Sequence, residues 1–420
     1  MIEIKNEKIK NSSVTVPGSK SYTHRILIAA SLSDGICSIS NPLKSEDTIL
    51  TKKALQKMGV KIEDHENRFL VHGTSGRLRA YTDHIHLENS GTSMRLLTSV
   101  AALGRGEYIL TGSVRMQQRP IKDLLDALNQ IGIDALSFEN NGCPPVKIKG
   151  GNIPGGNVSI NCNISSQFLS SVLLIAPYTI NGLDITVAKG PVSKPYIDMT
   201  VDIINMFGVS VDRTDYSSFR IKGSQKYKSG DYSVEPDCSQ ASYFWAAAAV
   251  TGKTVKVKGI STDSTQGDVR FVKILEKMGC NVSYENDGIA VSGGKLSAVE
   301  VDMADMPDIV PTLAVVAAFA KGVTVIKNVA HLKNKESDRL EAVAAELLKM
   351  GINAYSNDSG LVITGGIPKG AAIDTYNDHR IAMSFAVAGL MVPDMHIKNE
   401  TCVEKSFPDY WDVFNGLYEK

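Results

Sequence analysis

The sequence predicts an α/β protein in which one small unit is repeated six times, three copies to a domain. Two observations carry this expectation. A phrase made of an apolar residue, two variable positions, Met, Ile or Phe, then Gly and another apolar residue, returns at 55–60, 128–133, 204–209, 275–280 and 347–352. Its glycines, Gly59, Gly132, Gly208, Gly279 and Gly351, stand 73, 76, 71 and 72 residues apart. A fixed period of this kind marks repeated supersecondary units. In addition, a helix rich in Ala, Leu and Val begins once per period, near Ser19, Ser90, Ser165, Cys238, Pro307 and Asn377.

The elements follow in order. Met1-Ile2-Glu3-Ile4-Lys5 alternates like a strand, read as one strand over 2–10 that joins the C-terminal half. Pro17-Gly18 breaks it, Ser19 or Ser21 caps a helix, and Asp34-Gly35 stops that helix. A strand at 37–40, a polar loop and an amphipathic helix of about three turns come next, with Gly59 as its C′ residue. A further strand at 69–72 completes the first copy. Strands matching the first are expected at 108–111, 184–187, 254–257, 323–327 and 396–398, and strands matching the second at 146–149, 219–222, 289–292 and 361–364. A last helix over 410–417 ends the chain without its strand. The unit is therefore β-α-β-α-β-β. The natural cut lies near 233–237, giving one domain of 19–233 and another of 1–18 with 234–420.

The composition excludes several classes. With 45 basic and 45 acidic residues, no bulk charge draws the chain to nucleic acid or a membrane surface. The six cysteines (37, 143, 162, 238, 280, 402) form no C-x-x-C pair, so neither a disulfide frame nor a zinc site is expected. His84-x-His86 lacks a third ligand at metal spacing; no metal and no cofactor are expected. The N-terminus has no signal core, and the apolar run 313–320 is too short to span a bilayer. The expectation is a soluble cytoplasmic protein, working as a monomer.

Polar residues cluster at equivalent turns. The Ala-rich helices start with Lys20-Ser21, Asn89-Ser90-Gly91-Thr92, Ser165-Ser166-Gln167, Asp237-Cys238-Ser239, Met306-Pro307-Asp308 and Asn377-Asp378-His379-Arg380. The loops before the second helices carry Lys44-Ser45-Glu46-Asp47, Gln117-Gln118-Arg119, Ser193-Lys194-Pro195-Tyr196, Lys335-Glu336-Ser337-Asp338-Arg339 and Lys405-Ser406. Lys20, Arg25, Arg119, Lys335, Arg339, Arg380 and Lys405 thus recur at equivalent positions. Cations at helix N-termini oppose the macrodipole unless an anion sits there on free backbone N–H groups. The starts are expected to face one another across a cleft between the halves, suited to two small, highly charged substrates. Asp308 and Glu336 are the acids so placed, Asp378 is read as an orienter of Arg380, and His24, His331 and His379 as caps or ligands.

Taken together, PGSKSYTHR (17–25), NSGTSMR (89–95), QRP (118–120), SSQF (165–168), VSKPYID (192–198), QGDVRF (266–271), KESDR (335–339), NDHRIAM (377–383) and KSFPDYW (405–411) resemble the 3-phosphoshikimate 1-carboxyvinyltransferase family, over nearly the whole chain and in order. The resemblance implies two similar domains, each an inside-out α/β barrel of three units. It implies transfer of the enolpyruvyl group of phosphoenolpyruvate to the 5-hydroxyl of shikimate 3-phosphate, on the way to chorismate and the aromatic amino acids. Shikimate 3-phosphate would contact Lys20, Ser21, Arg25, Ser165, Ser166, Ser193, Tyr196, Asp308 and Lys335. Phosphoenolpyruvate would contact Lys20, Gly91, Arg119, Gln167, Arg339, Arg380 and Lys405. Asp308 and Glu336, with Lys20 nearby, would move the protons.

The sequence departs from the family's commonest pattern at Leu96 (often Pro), Thr23-His24 (often Ser-Asn) and His331-Leu332 (often Asn-Trp). Gly91 is kept, since an Ala there would crowd phosphoenolpyruvate, so glyphosate is expected to compete with that substrate. The sister transferase acting on UDP-N-acetylglucosamine usually carries a loop Cys that 113–119 lacks. A non-catalytic anion binder on the same scaffold would not need both Asp308 and Glu336.

Overall fold

Three helices lie buried on nearly every side: Lys20–Leu32, Gly91–Ala101 and Gln167–Ile175. They pack on one another, as helices buried on every side must, since none keeps a face for water. These features come from a computed structural model that describes residues 1–419. The chain divides into two compact units, a continuous one, Gly18–Val234, and a two-segment one, Met1–Pro17 with Glu235–Lys420. Each has its own hydrophobic core.

In the continuous unit three four-stranded sheets enclose the helices. Each has the same plan: one strand parallel to the second, then two antiparallel neighbours. In the first sheet Asp231–Ser233 lies parallel to Ile36–Ser40, which pairs antiparallel with Arg68–His72, itself paired with Lys61–His65. Gly106–Thr111 and Leu183–Lys189 take the second place in the other two sheets. The second helices interleave with the buried three. Lys122–Gln130, for example, hides Leu124, Leu125, Ala127 and Leu128 and leaves its charged face outside.

The two-segment unit repeats this plan around Cys238–Thr251, Val310–Ala318 and His379–Gly389. Its sheets centre on Thr254–Lys258, Val323–Lys327 and Met395–Ile397. Helices inside and sheets outside make both units inside-out α/β barrels, six copies of one unit in all. The repeated glycines all have positive φ, from 75° at Gly351 to 110° at Gly279, where each leaves its helix. Such backbone favours glycine over any L-residue.

Three expectations need correction. The N-terminal segment is not one strand over 2–10. It forms Ile2–Ile4, antiparallel to Met395–Ile397, and Ser12–Val14, parallel to Thr254–Lys258. The polar run Lys5-Asn6-Glu7-Lys8 interrupts the alternation, and the two pieces serve two sheets. The helix expected near Pro307 opens as a 3₁₀ turn, Pro307–Ile309, before Val310–Ala318 continues it. The last helix also ends at Asn415 rather than 417. No helix among the described residues is long and apolar enough to cross a membrane.

Candidate active site

In the continuous unit the candidates gather at the starts of the three buried helices. Ser19 caps Lys20–Leu32, accepting from the Tyr22 N–H, which aims the first turn. Lys20 sits there buried, its Nζ 3.1 Å from the Asp47 carboxylate. Arg25, one turn on, is 1% exposed. Its Nε donates to Thr200 Oγ1 at 2.7 Å, one terminal nitrogen to Ser170 Oγ at 3.2 Å and the other to the Ser21 carbonyl at 3.1 Å. None of these partners is a carboxylate. Burial pulls the guanidinium down to about 10, opposed only by the nearby Tyr196 and Tyr22 phenols. A buried cation held by neutral oxygens is costly, and it makes sense beside an anion. Thr200 and Ser170 also donate to the Tyr196 carbonyl, which ties Arg25 to the Ser193–Tyr196 turn; Ser193 itself has φ 55°.

The next two helix starts meet directly. Gln167 donates from Nε2 to Thr92 Oγ1 at 2.9 Å and accepts at Oε1 from Arg95 at 2.8 Å. Ser165 and Ser166 are buried just ahead of it. Arg119 donates to the Asn89 carbonyl at 3.0 Å and to Asn89 Oδ1 at 3.1 Å. A methyl group built on Gly91 would lie 2.4 Å from an Arg119 terminal nitrogen, so the absence of a side chain at 91 gives that guanidinium its place.

In the two-segment unit one ionic network joins Asp308, Lys335, Glu336, Arg339 and Arg380. Arg339, the first residue of Arg339–Lys349, is 1% exposed. It donates to Asp308 at 3.0 Å, to Glu336 at 2.8 Å and to Asp378 at 2.8 and 3.2 Å. Burial opposes its charge, but Asp378, Glu336 and Asp308 outweigh that and hold it well above the ordinary value. Arg380 donates to the other Asp308 oxygen at 2.7 Å, and Lys335 Nζ lies 4.0 Å from Asp308. Asp308 is thus held on one oxygen by each of two arginines, two charge-assisted hydrogen bonds from separate guanidinium groups. Lys405 is buried at the end of Glu400–Lys405.

Asp378 holds one arginine by its guanidinium and meets the other only at its backbone N–H. It caps His379–Gly389 through the Arg380 N–H at 3.0 Å while holding Arg339. His331 is buried, and burial together with Lys335 pushes it down to about 3, so it is neutral near pH 7. His24 bonds Thr51 at 2.8 Å inside the core.

The sequence reading passed over four residues here. Asp47 and Arg95 lay inside quoted motifs, and only spatial pairing shows their use. Thr200 supports Arg25 from 175 positions away. Asp268, in the QGDVRF motif, is buried, accepts from Ser239 and is pushed up to about 7 by burial and then by Asp308.

The sequence was compared with known proteins. The profile of the family described as EPSP synthase (3-phosphoshikimate 1-carboxyvinyltransferase) matches residues 4–414. The 3-phosphoshikimate 1-carboxyvinyltransferase of Marinomonas sp. (strain MWYL1) is 42% identical over 411 residues, 97% of each chain. The protein of the same name from Syntrophobacter fumaroxidans is 44% identical over 408 residues, 96% of each chain. The solved structure of EPSP synthase from Acinetobacter baumannii superposes with a TM-score of 0.83 at 29% identity, covering 99% of this chain and 97% of that one. By sequence across nearly its full length and by fold, the chain belongs to the EPSP synthase (3-phosphoshikimate 1-carboxyvinyltransferase) family of enzymes.

Proposed function

We propose that the chain transfers the enolpyruvyl group of phosphoenolpyruvate to the 5-hydroxyl of shikimate 3-phosphate, releasing phosphate, with the residues named above in the following roles. The observation that carries this reading is the Asp308–Arg339–Glu336 network, in which two carboxylates of different duty share one buried guanidinium. Asp308 takes the proton of the 5-hydroxyl as that oxygen bonds to C2 of phosphoenolpyruvate. Glu336 gives a proton to the methylene carbon, with Lys20 assisting. The C2–O bond to phosphate then breaks, the methyl carbon returns a proton, and the double bond re-forms. Proton transfers of this sort contribute roughly 10²–10⁴-fold each. The cations neutralising the phosphate and carboxylate make the larger contribution.

Shikimate 3-phosphate meets Lys20, Ser21, Arg25, Ser165, Ser166, Ser193, Tyr196, Asp308 and Lys335 in this proposal. Phosphoenolpyruvate meets Lys20, Gly91, Arg119, Gln167, Arg339, Arg380 and Lys405. The buried, carboxylate-free surroundings of Arg25 support an anionic ligand there. The protein acts as a cytoplasmic monomer, which gel filtration with light scattering checks.

A coupled phosphate-release assay with the two substrates tests the proposal. Asp308→Ala and Glu336→Ala each abolish turnover far more than they weaken substrate binding, and glyphosate competes with phosphoenolpyruvate. Release of phosphate with UDP-N-acetylglucosamine but not with shikimate 3-phosphate would overturn it, as would no turnover with either.

A further inference from the structure

The turn that delivers Asp378 and Arg380 is strained. Tyr376 and Asn377 are consecutive non-glycine residues, each with φ 54°. Single residues visit the left-handed region at a cost, and bulky ones like tyrosine seldom do. Such conformations persist where the surroundings over-determine them, so something must hold this turn.

The helix Arg339–Lys349 holds it from both ends. Arg339 and Glu346 are seven residues apart, two turns, and therefore share one face. Arg339 takes the downstream end through Asp378. Glu346, wholly buried, takes the upstream end. One of its oxygens accepts from the Tyr376 hydroxyl at 2.8 Å, the other from the Asp374 N–H at 3.0 Å. Lys349 Nζ neutralises both oxygens at 2.8 and 2.7 Å and reaches Asp374 at 2.6 Å. Burying a carboxylate is costly, and both oxygens of Glu346 also accept from this one loop.

We propose that Glu346, acting through Tyr376 and Asp374, is a positioning residue for phosphoenolpyruvate: it clamps the left-handed turn that sets Asp378 and thereby aims Arg380 and Arg339. This rests on the reading of those two arginines as ligands of phosphoenolpyruvate. Without the clamp the turn relaxes, Asp378 loses its register, and the guanidinium pair spreads.

The test is steady-state kinetics of Tyr376→Phe, Glu346→Gln and, as reference, Arg380→Ala, with thermal melts of each. Tyr376→Phe removes one hydroxyl from a partly exposed ring and decides the question even where Glu346→Gln does not fold. The expected result is a KM for phosphoenolpyruvate raised about fivefold in Tyr376→Phe and about tenfold or more in Glu346→Gln. The KM for shikimate 3-phosphate stays within about twofold, and kcat falls less than the KM rises. A lower melting temperature with both KM values unchanged would overturn the proposal, as would an equal rise in both. If Arg380→Ala weakens phosphoenolpyruvate while the two clamp variants do not, the clamp alone fails. If Arg380→Ala also leaves that KM untouched, the reading of Arg380 fails first.

Discussion

At the scale of the residue, Gly91 and His331 show how one side chain, or its absence, shapes its surroundings. Gly91→Ala would push its methyl into Arg119, whose guanidinium is pinned to Asn89 on a buried surface and has little room to yield. The expected outcome is a KM for phosphoenolpyruvate raised about tenfold, with the melting temperature changed by only a few degrees, because the helix gains a better former than glycine. Initial-rate kinetics check this. His331 bears on pH. Its folded value of about 3 lies below its ordinary 6.5, so the native state binds fewer protons than the unfolded chain between those values. Its contribution to stability is full above about pH 6.5 and is lost as the pH falls toward 3. Unfolding free energies from urea titrations between pH 7 and pH 4 are expected to fall less steeply in His331→Asn, by up to about 3 kcal/mol over that span. The motif around Arg25 was legible at this scale, since a basic turn before an apolar helix reads directly from the chain. That Arg25 has no acidic partner among the described residues was not, because its hydroxyl neighbours come from residues 170 and 200.

At the scale of the element, the repeated glycines distinguish two costs. Gly351 has φ 75°, and a methyl there would meet only Lys369 Cδ, at 3.8 Å. Gly351→Ala is expected to cost about 1–2 kcal/mol, the price of the left-handed backbone alone. At Gly279 the same methyl would fall 2.4 Å from the Lys295 carbonyl oxygen. Gly279→Ala should therefore lose distinctly more, read as a lower guanidinium midpoint than that of Gly351→Ala. The five helix ends were legible because a helix stop is a local signal, written within one turn. The strand over 2–10 was misread because alternation announces a strand without telling which sheet it serves. Four polar residues, Lys5 to Lys8, let the chain leave one sheet and enter another.

At the scale of the whole molecule, the sheets show how each unit is completed. The continuous unit finishes its first sheet with its own last strand, Asp231–Ser233 beside Ile36–Ser40. The two-segment unit borrows Ile2–Ile4 and Ser12–Val14 from the start of the chain. A fragment of residues 18–234 is expected to melt cooperatively on its own. A fragment beginning at 235 lacks a strand in two sheets and should not, unless the first 17 residues are supplied. Circular dichroism melts of the two fragments, with and without a 1–17 peptide, decide this.

The sequence alone determined the period, the class of the fold and most of the helix ends, since all of these are expressed over a few consecutive positions. Only the tertiary structure decided that Asp308 is gripped by two arginines, that Asp378 serves both, and that Glu346 fastens the turn ahead of them. Those partners lie tens of residues apart in the chain. Hydrogen bonds of that span exist only once packing has brought the helices together, and no local pattern encodes them.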